Sequence, residues 1–216
     1  LGLFVKVNNL LREQELKIGT KFGLGFPNAQ ALPGHLKAGW EVALDQIFFE
    51  KRQFRKHADT AIPVTRFDER YDQFYLEAAK QFDFVHIKDH RILNWRYLER
   101  PEIRYQAFAI DQGQIQGLIV LKKFNDGQIV KSHIVEFLAI SDEAAKTLIN
   151  TAENFALESD LLNLWIPERS PYQSLFLEHG FVKTETRSPT ILRSNDGSKL
   201  PKLDSPWLTL GDNDVY

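Results

Sequence analysis

Hydrophobic and polar positions alternate along this chain in two distinguishable rhythms. Residues 3–18, LFVKVNNLLREQELKI, repeat apolar side chains at helical spacing, with Leu3, Phe4, Val7, Leu10 and Leu11 on one stripe. Gly19 supplies a C-terminal stop. Residues 21–26, KFGLGF, read as a short buried strand, and 30–38 as a short helix around Pro33. Residues 40–54, WEVALDQIFFEKRQF, read as a hairpin or a bent strand. The polar run RKHADT, 55–60, is the best boundary in the chain.

A strand begins at Ile62–Thr65 after that boundary, and helices follow near 68–80 and 89–98. Tyr71, Phe74, Tyr75 and Ala78 share one face of the first helix. Three strands come next, at 105–110, 114–124 and 128–140, separated by Asp111-Gln112-Gly113 and Asn125-Asp126-Gly127. Both separators are hairpin turn signals. A helix over 142–158 buries Ala145, Leu148, Ala152 and Phe155. A strand at 161–166 and a short helix at 171–178 lead to Gly180-Phe181, and two further short strands are expected in the tail. Residues 3–54 therefore read α-β-α-β-β, and 62–193 read β-α-α-β-β-β-α-β-α-β-β. The shorter order matches the back half of the longer one, an internal repeat of element order.

Composition adds little to this picture but removes several function classes. The 216 residues are 43% apolar and 26% charged, as in soluble globular proteins. Net charge is −2, with 27 basic against 29 acidic residues, so no nucleic-acid surface is announced. No apolar run reaches the roughly 20 residues that span a bilayer. No signal peptide is apparent, and a cytoplasmic location is the default expectation. The absence of cysteine excludes disulfides, thiolate nucleophiles and Cys-ligated zinc. His86, His90 and His133 have no metal-ligand spacing, so no metal site is expected. Methionine is absent too; either a fragment or residues missing from the sequence would explain this, and an intact mass compared with 25.0 kDa separates the two.

The element order and two local motifs resemble the GNAT superfamily, the acyl-CoA-dependent N-acyltransferases. The first motif runs from Asn28 and Ala31 to Gly39-Trp40 and is similar to the family's Asn-x-x-Ala…Gly-aromatic pattern. The second is Gly2, which matches the last small residue of the family's pyrophosphate loop; the rest of that loop has no counterpart in the chain. The resemblance implies an α/β (α+β) fold with a mixed, mostly antiparallel sheet flanked by helices. It divides the chain into 1–58, the C-terminal half of a first GNAT-like domain, and 59–216, a complete second one. It also implies acetyl-CoA, or another acyl-CoA, as co-substrate and a small-molecule primary amine as acceptor.

Site residues follow from the same resemblance. Gly2, Leu3, Phe4 and Asn28 are the expected cofactor contacts, because a helix N-terminus offers free N–H groups and partial positive charge to a pyrophosphate. His35 falls where the family keeps the tyrosine that protonates the leaving thiolate. A histidine can serve there, since its ordinary pKa lies near neutrality. An uncatalytic helical histidine is the alternative, and for Asn28 the alternative is a plain helix N-cap. Trp95, Arg96 and Tyr97, with Arg91, Arg100 and Arg104 nearby, border the expected acceptor cleft. They could equally be partly buried aromatics beside a solvated basic face.

The second copy of the motif departs from the pattern. Its helix begins Ser141-Asp142-Glu143, without glycine and with two carboxylates that repel phosphate. Arg169 stands at the Asn position and Phe176 at the Tyr position. The second unit is therefore expected to bind acyl-CoA weakly or not at all. The terminal segment WLTLGDNDVY, with Asp212 and Asp214, reads as a frayed polar end. A non-catalytic GNAT-like module that binds a metabolite or a protein is the alternative to an acyltransferase.

Overall fold

The computed structural model describes residues 2–125 and 127–213. The first helix, α1 (Leu3–Lys17), ends at Gly19, whose φ of 83° lies in the left-handed region that favours glycine. Then come β1 (Phe22–Gly25), α2 (Leu32–Lys37) and β2 (Glu41–Lys51). β2 is one long strand rather than a hairpin. It bends at two register shifts, between Val42 and Leu44 and between Ile47 and Phe49.

The linker after β2 is tied to the rest of the fold. The His57 N–H and C=O both bond the Asn154 side chain, at 2.8 Å each, and the Ala61 N–H donates to Thr151 Oγ1 at 2.8 Å. Beyond it run β3 (Ile62–Val64), α3 (Arg70–Ala79), β4 (Phe84–Val85), and α4 (His90–Leu93) continuing into a π turn, Asn94–Leu98. The buried face of α3 is Tyr71, Phe74, Tyr75 and Ala78, as its periodicity requires.

The meander β5 (Tyr105–Asp111), β6 (Ile115–Asn125) and β7 (Val130–Ala139) follows. Gly113 and Gly127, with φ of 87° and 86°, make its turns. Leu118, Ile119, Val120 and Leu121 are all buried, so both faces of β6 are covered. α5 (Asp142–Ala156) lies on one of them. Its Leu148 sits where a Cβ on Gly117 would approach to 3.0 Å.

The chain ends in β8 (Leu161–Pro167), α6 (Tyr172–Glu178), β9 (Val182–Ser194), β10 (Pro206–Trp207) and a 3-10 turn, Leu210–Asp212. The two short strands expected over 181–193 are a single strand, β9, of 13 residues. Pro189 does not break it: Pro189 lies opposite Asp45, and β1 reaches β9 only from Ile191 to Ser194, so no described strand pairs the other edge of β9 at the proline.

The main sheet has eight strands in the order β1-β9-β2-β8-β7-β6-β5-β3. β1 was expected to be buried, yet it forms the sheet's edge. The stretches α1-β1-α2-β2 and α5-β8-α6-β9 have the same order, but their last strands cross over. β2 pairs with β8 on one side and β9 on the other, while β9 also pairs with β1. All of these pairings are antiparallel. The exception is β7 with β8, which are parallel and joined only from Lys131–His133 to Leu161–Asn163. Val135 is the extra residue of a bulge in β7, because Val120 pairs Glu136 and Leu121 pairs Ile134. Past the bulge β7 and β8 part, and a groove opens between them.

Candidate functional site

Each of the two α-β-α-β stretches opens on a helix N-terminus, and the two junctions differ in cap and in first-turn charge. At the first junction Gly2 is the N-cap of α1, with extended backbone and no side chain on the helix amides; no acid stands in the first turn. Gly2, Leu3 and Phe4 are exposed. Asn28 Oδ1 accepts from the Gln30 N–H at 3.1 Å and the Ala31 N–H at 2.9 Å, which fixes the turn into α2. Gly34 is required by packing, since a Cβ there would come within 2.9 Å of the Phe4 ring.

His35 lies between two aromatic rings. Phe4 is 4.9 Å away, edge-on, and Trp40 is 5.3 Å away, also edge-on. Trp40 is held in turn by a hydrogen bond from Nε1 to Asn8 Oδ1, 3.0 Å, and by the Arg193 guanidinium 4.6 Å over its ring. Burial, and then the charge of Arg193, push the His35 pKa below its ordinary value. Its Nδ1 is buried and has no hydrogen-bond partner among the described residues. Both effects favour the neutral imidazole over the imidazolium.

The second junction has a side-chain cap and acids of its own. Ser141 Oγ accepts from the Ala144 N–H at 3.2 Å, and Asp142 and Glu143 occupy the first turn of α5. A cleft of about 350 Å³ at this end is lined by Asp59, Asp111 and Glu143, among others. Its charge opposes a phosphate.

The groove between β7 and β8 is filled by the chain's own side chains. The Ala139 N–H donates to the Tyr172 hydroxyl at 3.2 Å, and that hydroxyl donates to the Ala139 C=O at 3.1 Å. Trp207 Nε1 donates to the Phe137 C=O at 2.7 Å. The Tyr172 and Trp207 rings meet edge-on at 4.6 Å. Phe176 is fully buried against Phe137 and Phe181 and has no proton to give. Arg169 reaches back to the Leu203 C=O at 3.4 Å.

The segment that carries Trp207 is not a frayed end, at least as far as Asn213. Leu208 and Leu210 are fully buried, and Thr209 and Asp212 bond each other's backbone as a capping box. The physical reason is a buried ionic cluster that sequence reasoning missed. Lys88 Nζ lies 2.9 Å from Glu136 Oε2 and 2.7 Å from Asp212 Oδ1, with all three side chains about 2% exposed. Burial disfavours the Lys88 ammonium, but the Asp212 and Glu136 charges outweigh it and raise its pKa. Burial would likewise raise Asp212, yet Lys88 and His86 hold it low. His86 Nδ1 is 2.9 Å from Asp212 Oδ1. Asp214 lies outside the described residues.

The Trp95, Arg96 and Tyr97 side chains diverge. Trp95 is exposed, Arg96 donates to the Asn213 C=O, and Tyr97 is buried with its hydroxyl donating to Glu136 Oε2 at 2.9 Å. Another cleft, of about 960 Å³, is lined by none of these three residues. It lies at the C-terminal end of α5, and its floor is the Lys51–Glu153 ion pair at 2.5 Å. Among the described residues no helix is long and apolar enough to cross a membrane, and no cluster of His, Cys, Asp and Glu could hold a metal.

Neither a family model nor a curated relative matches the sequence. Solved structures do match. A GCN5-related N-acetyltransferase from Anabaena variabilis superposes with a TM-score of 0.67 at 14% identity, over 89% of this chain and 50% of its own. A probable N-acyltransferase from Enterococcus faecalis gives 0.62 at 12% identity, over 88% and 49%. A GCN5-related N-acetyltransferase from Kribbella flavida gives 0.58 at 17% identity, over 86% and 46%. The chain thus spans about half the length of these structures. Its mixed, mostly antiparallel sheet flanked by helices is the fold of the GCN5-related N-acetyltransferases.

Proposed function

We propose that the protein transfers an acetyl or other acyl group from acyl-CoA to a primary amine, using the first junction. The observation that carries this reading is the contrast between the two helix starts. The first turn of α1 has amides that no side chain claims, as a pyrophosphate requires, whereas α5 carries its own cap and two acids. In this reading the pyrophosphate of CoA lies over Gly2, Leu3 and Phe4, and Asn28 orders the neighbouring turn. The amine attacks the thioester carbonyl, a C–N bond forms and the C–S bond breaks. His35, neutral at pH 7, takes the proton lost by the amine and returns it to the leaving thiolate. The turn that carries Trp95, Arg96 and Tyr97 packs on β5, six strands from β1 in the sheet, so these residues take no part in this reading.

The test is calorimetric titration of acetyl-CoA into the protein at its full encoded length, beside a thiol-release assay with a panel of primary amines. Gly2→Asp gives α1 the acidic start of α5 and is expected to weaken binding by at least about 10-fold. His35→Phe is expected to lower turnover while binding persists. Undetectable binding, or binding that Gly2→Asp leaves unchanged, sinks the proposal. A second reading, a non-catalytic binding module, draws support from the filled β7–β8 groove. It predicts no thiol release with any amine.

A further inference from the structure

A cleft of about 420 Å³ lies where the loop before α3 meets α4. Two side chains fix its walls. Asn94 Oδ1 accepts from the Phe67 N–H at 3.0 Å, and Asn94 Nδ2 donates to the Phe67 C=O and the His90 C=O at 2.8 Å each. Asp72, on α3, accepts from the His90 N–H at 2.6 Å and from His90 Nδ1 at 3.0 and 2.9 Å through its two oxygens. Phe67 is buried edge-on against Tyr71, ring centres 4.9 Å apart, so the loop is anchored in the core.

The backbone bond to Asp72 is enough to tie α4 to α3; the second bond, to the ring, sets the orientation of His90. A carboxylate only accepts, so Nδ1 carries the ring proton, and in the neutral imidazole Nε2 keeps its lone pair. Nε2 has no hydrogen-bond partner among the described residues and is not a buried atom. The side chain is 26% exposed and lines the cleft. An imidazole held through Nδ1 by a carboxylate, with Nε2 free in a cleft, is a general base in its working orientation. The charges around it are sorted as well. Arg70 is committed to Asp68 at 2.9 Å and to Asp111 at 2.7 Å. Arg66 and Glu69 line the same cleft and make no ion pair among the described residues. Among the described residues no serine, threonine, cysteine or lysine lines the cleft, so the base has water to activate rather than a side chain.

We propose that this cleft is a second catalytic site, a hydrolytic one that takes small aminoacyl esters. Glu69 receives the ammonium group of the ester, and Arg66 meets the carbonyl oxygen as negative charge develops on it. His90 Nε2 takes a proton from water, whose oxygen forms a bond to the carbonyl carbon. The ester C–O bond then breaks, and the imidazolium proton passes to the departing alcohol oxygen. Asp72 is a positioning residue, which holds the ring and stabilises the imidazolium. No residue of this cleft belongs to the first junction, so the inference stands or falls apart from the acyltransferase reading.

The test is hydrolysis of the 4-nitrophenyl ester of alanine, and of its analogue without the amino group, 4-nitrophenyl propionate, by the 216-residue protein. After subtraction of spontaneous hydrolysis, the alanine ester is expected to be turned over saturably and faster than by free imidazole at equal concentration. His90→Gln is expected to lower kcat/KM by at least about 100-fold. Its thermal midpoint should stay within about 2 °C of the unsubstituted protein. Asp72→Asn is expected to lower kcat by at least about 10-fold with KM unchanged, a split that a merely structural clip would not produce. Glu69→Gln is expected to raise KM by about 10-fold for the alanine ester and not for the propionate. His35→Phe should leave both reactions unchanged. If His90→Gln does not fold, carbethoxylation of the unsubstituted protein with peptide mapping takes its place, and turnover is expected to fall in step with modification of His90. Three outcomes overturn the inference. The first is no saturable turnover of the alanine ester above that of free imidazole. The second is turnover that survives loss or modification of His90. The third is an equal KM for the two esters.

Discussion

The stretches α1-β1-α2-β2 and α5-β8-α6-β9 share an element order and a closing Gly-aromatic pair, yet they end in opposite states. In the later stretch the helix is covered, its N-terminus is capped by Ser141 and flanked by acids, and the strand groove is plugged by Tyr172 and Trp207. In the earlier one the helix face and its first amides are open, and a neutral histidine stands where the later copy has buried Phe176. One scaffold can therefore leave a helix start open or close it, depending on a few side chains and one C-terminal segment. Fold likeness by itself does not distinguish the two states.

The comparison can be broken most sharply at the ionic cluster that holds the C-terminal segment in place. Lys88→Met leaves the Glu136 and Asp212 carboxylates buried without their cation, so it should destabilise the protein by about 3–5 kcal/mol. Urea denaturation measures this, and a loss below about 1 kcal/mol would mean that the segment is held by packing alone. Tyr172→Phe is the next step down. It removes the hydroxyl that accepts from the Ala139 N–H, while the Ala139 C=O keeps Gln81 Nε2 at 2.8 Å, and should cost about 1–3 kcal/mol. If acetyl-CoA then binds with Gly2→Asp also in place, the later groove was closed only by that hydroxyl.

The smallest expected effect concerns His35 and pH. Its folded pKa lies below the ordinary 6.5, so the unfolded chain takes up the proton first as pH falls. The stability that goes with the neutral ring is complete above about pH 6.5 and is lost as pH falls through the folded pKa. His133, lowered chiefly by burial, contributes with the same sign. His35→Phe should flatten part of that acid-side decline in urea midpoints between about pH 7 and 5. An unchanged slope would show that burial does not hold His35 neutral.

Much of the fold was legible locally. The face Tyr71, Phe74, Tyr75 and Ala78 and, in α5, Ala145, Leu148 and Ala152 follow from helical period, whereas Phe155 is only half-buried; Gly19, Gly113 and Gly127 mark real chain reversals. Less of the candidate site was. The contrast between Gly2 and Ser141-Asp142-Glu143 is visible in the sequence, as is the loss of a proton donor at Phe176. The plug is not, because β10 has two residues and no periodicity to detect. The partners of Lys88 are equally hidden, being 48 and 124 positions away in the chain.

What the sequence determined by itself is whatever depends on neighbours within a few residues. That covers element type, turn position, the turn at Asn28, the cap at Ser141, and the amphipathic character of α1. The tertiary structure alone decided which faces are covered and which strands meet. Phe22 pairs with Ser194, β2 enters between β8 and β9, and Trp207 returns to Phe137. A helical stripe records that apolar side chains share a face. Whether that face meets protein or water depends on pairings between distant strands, and local spacing carries no record of them.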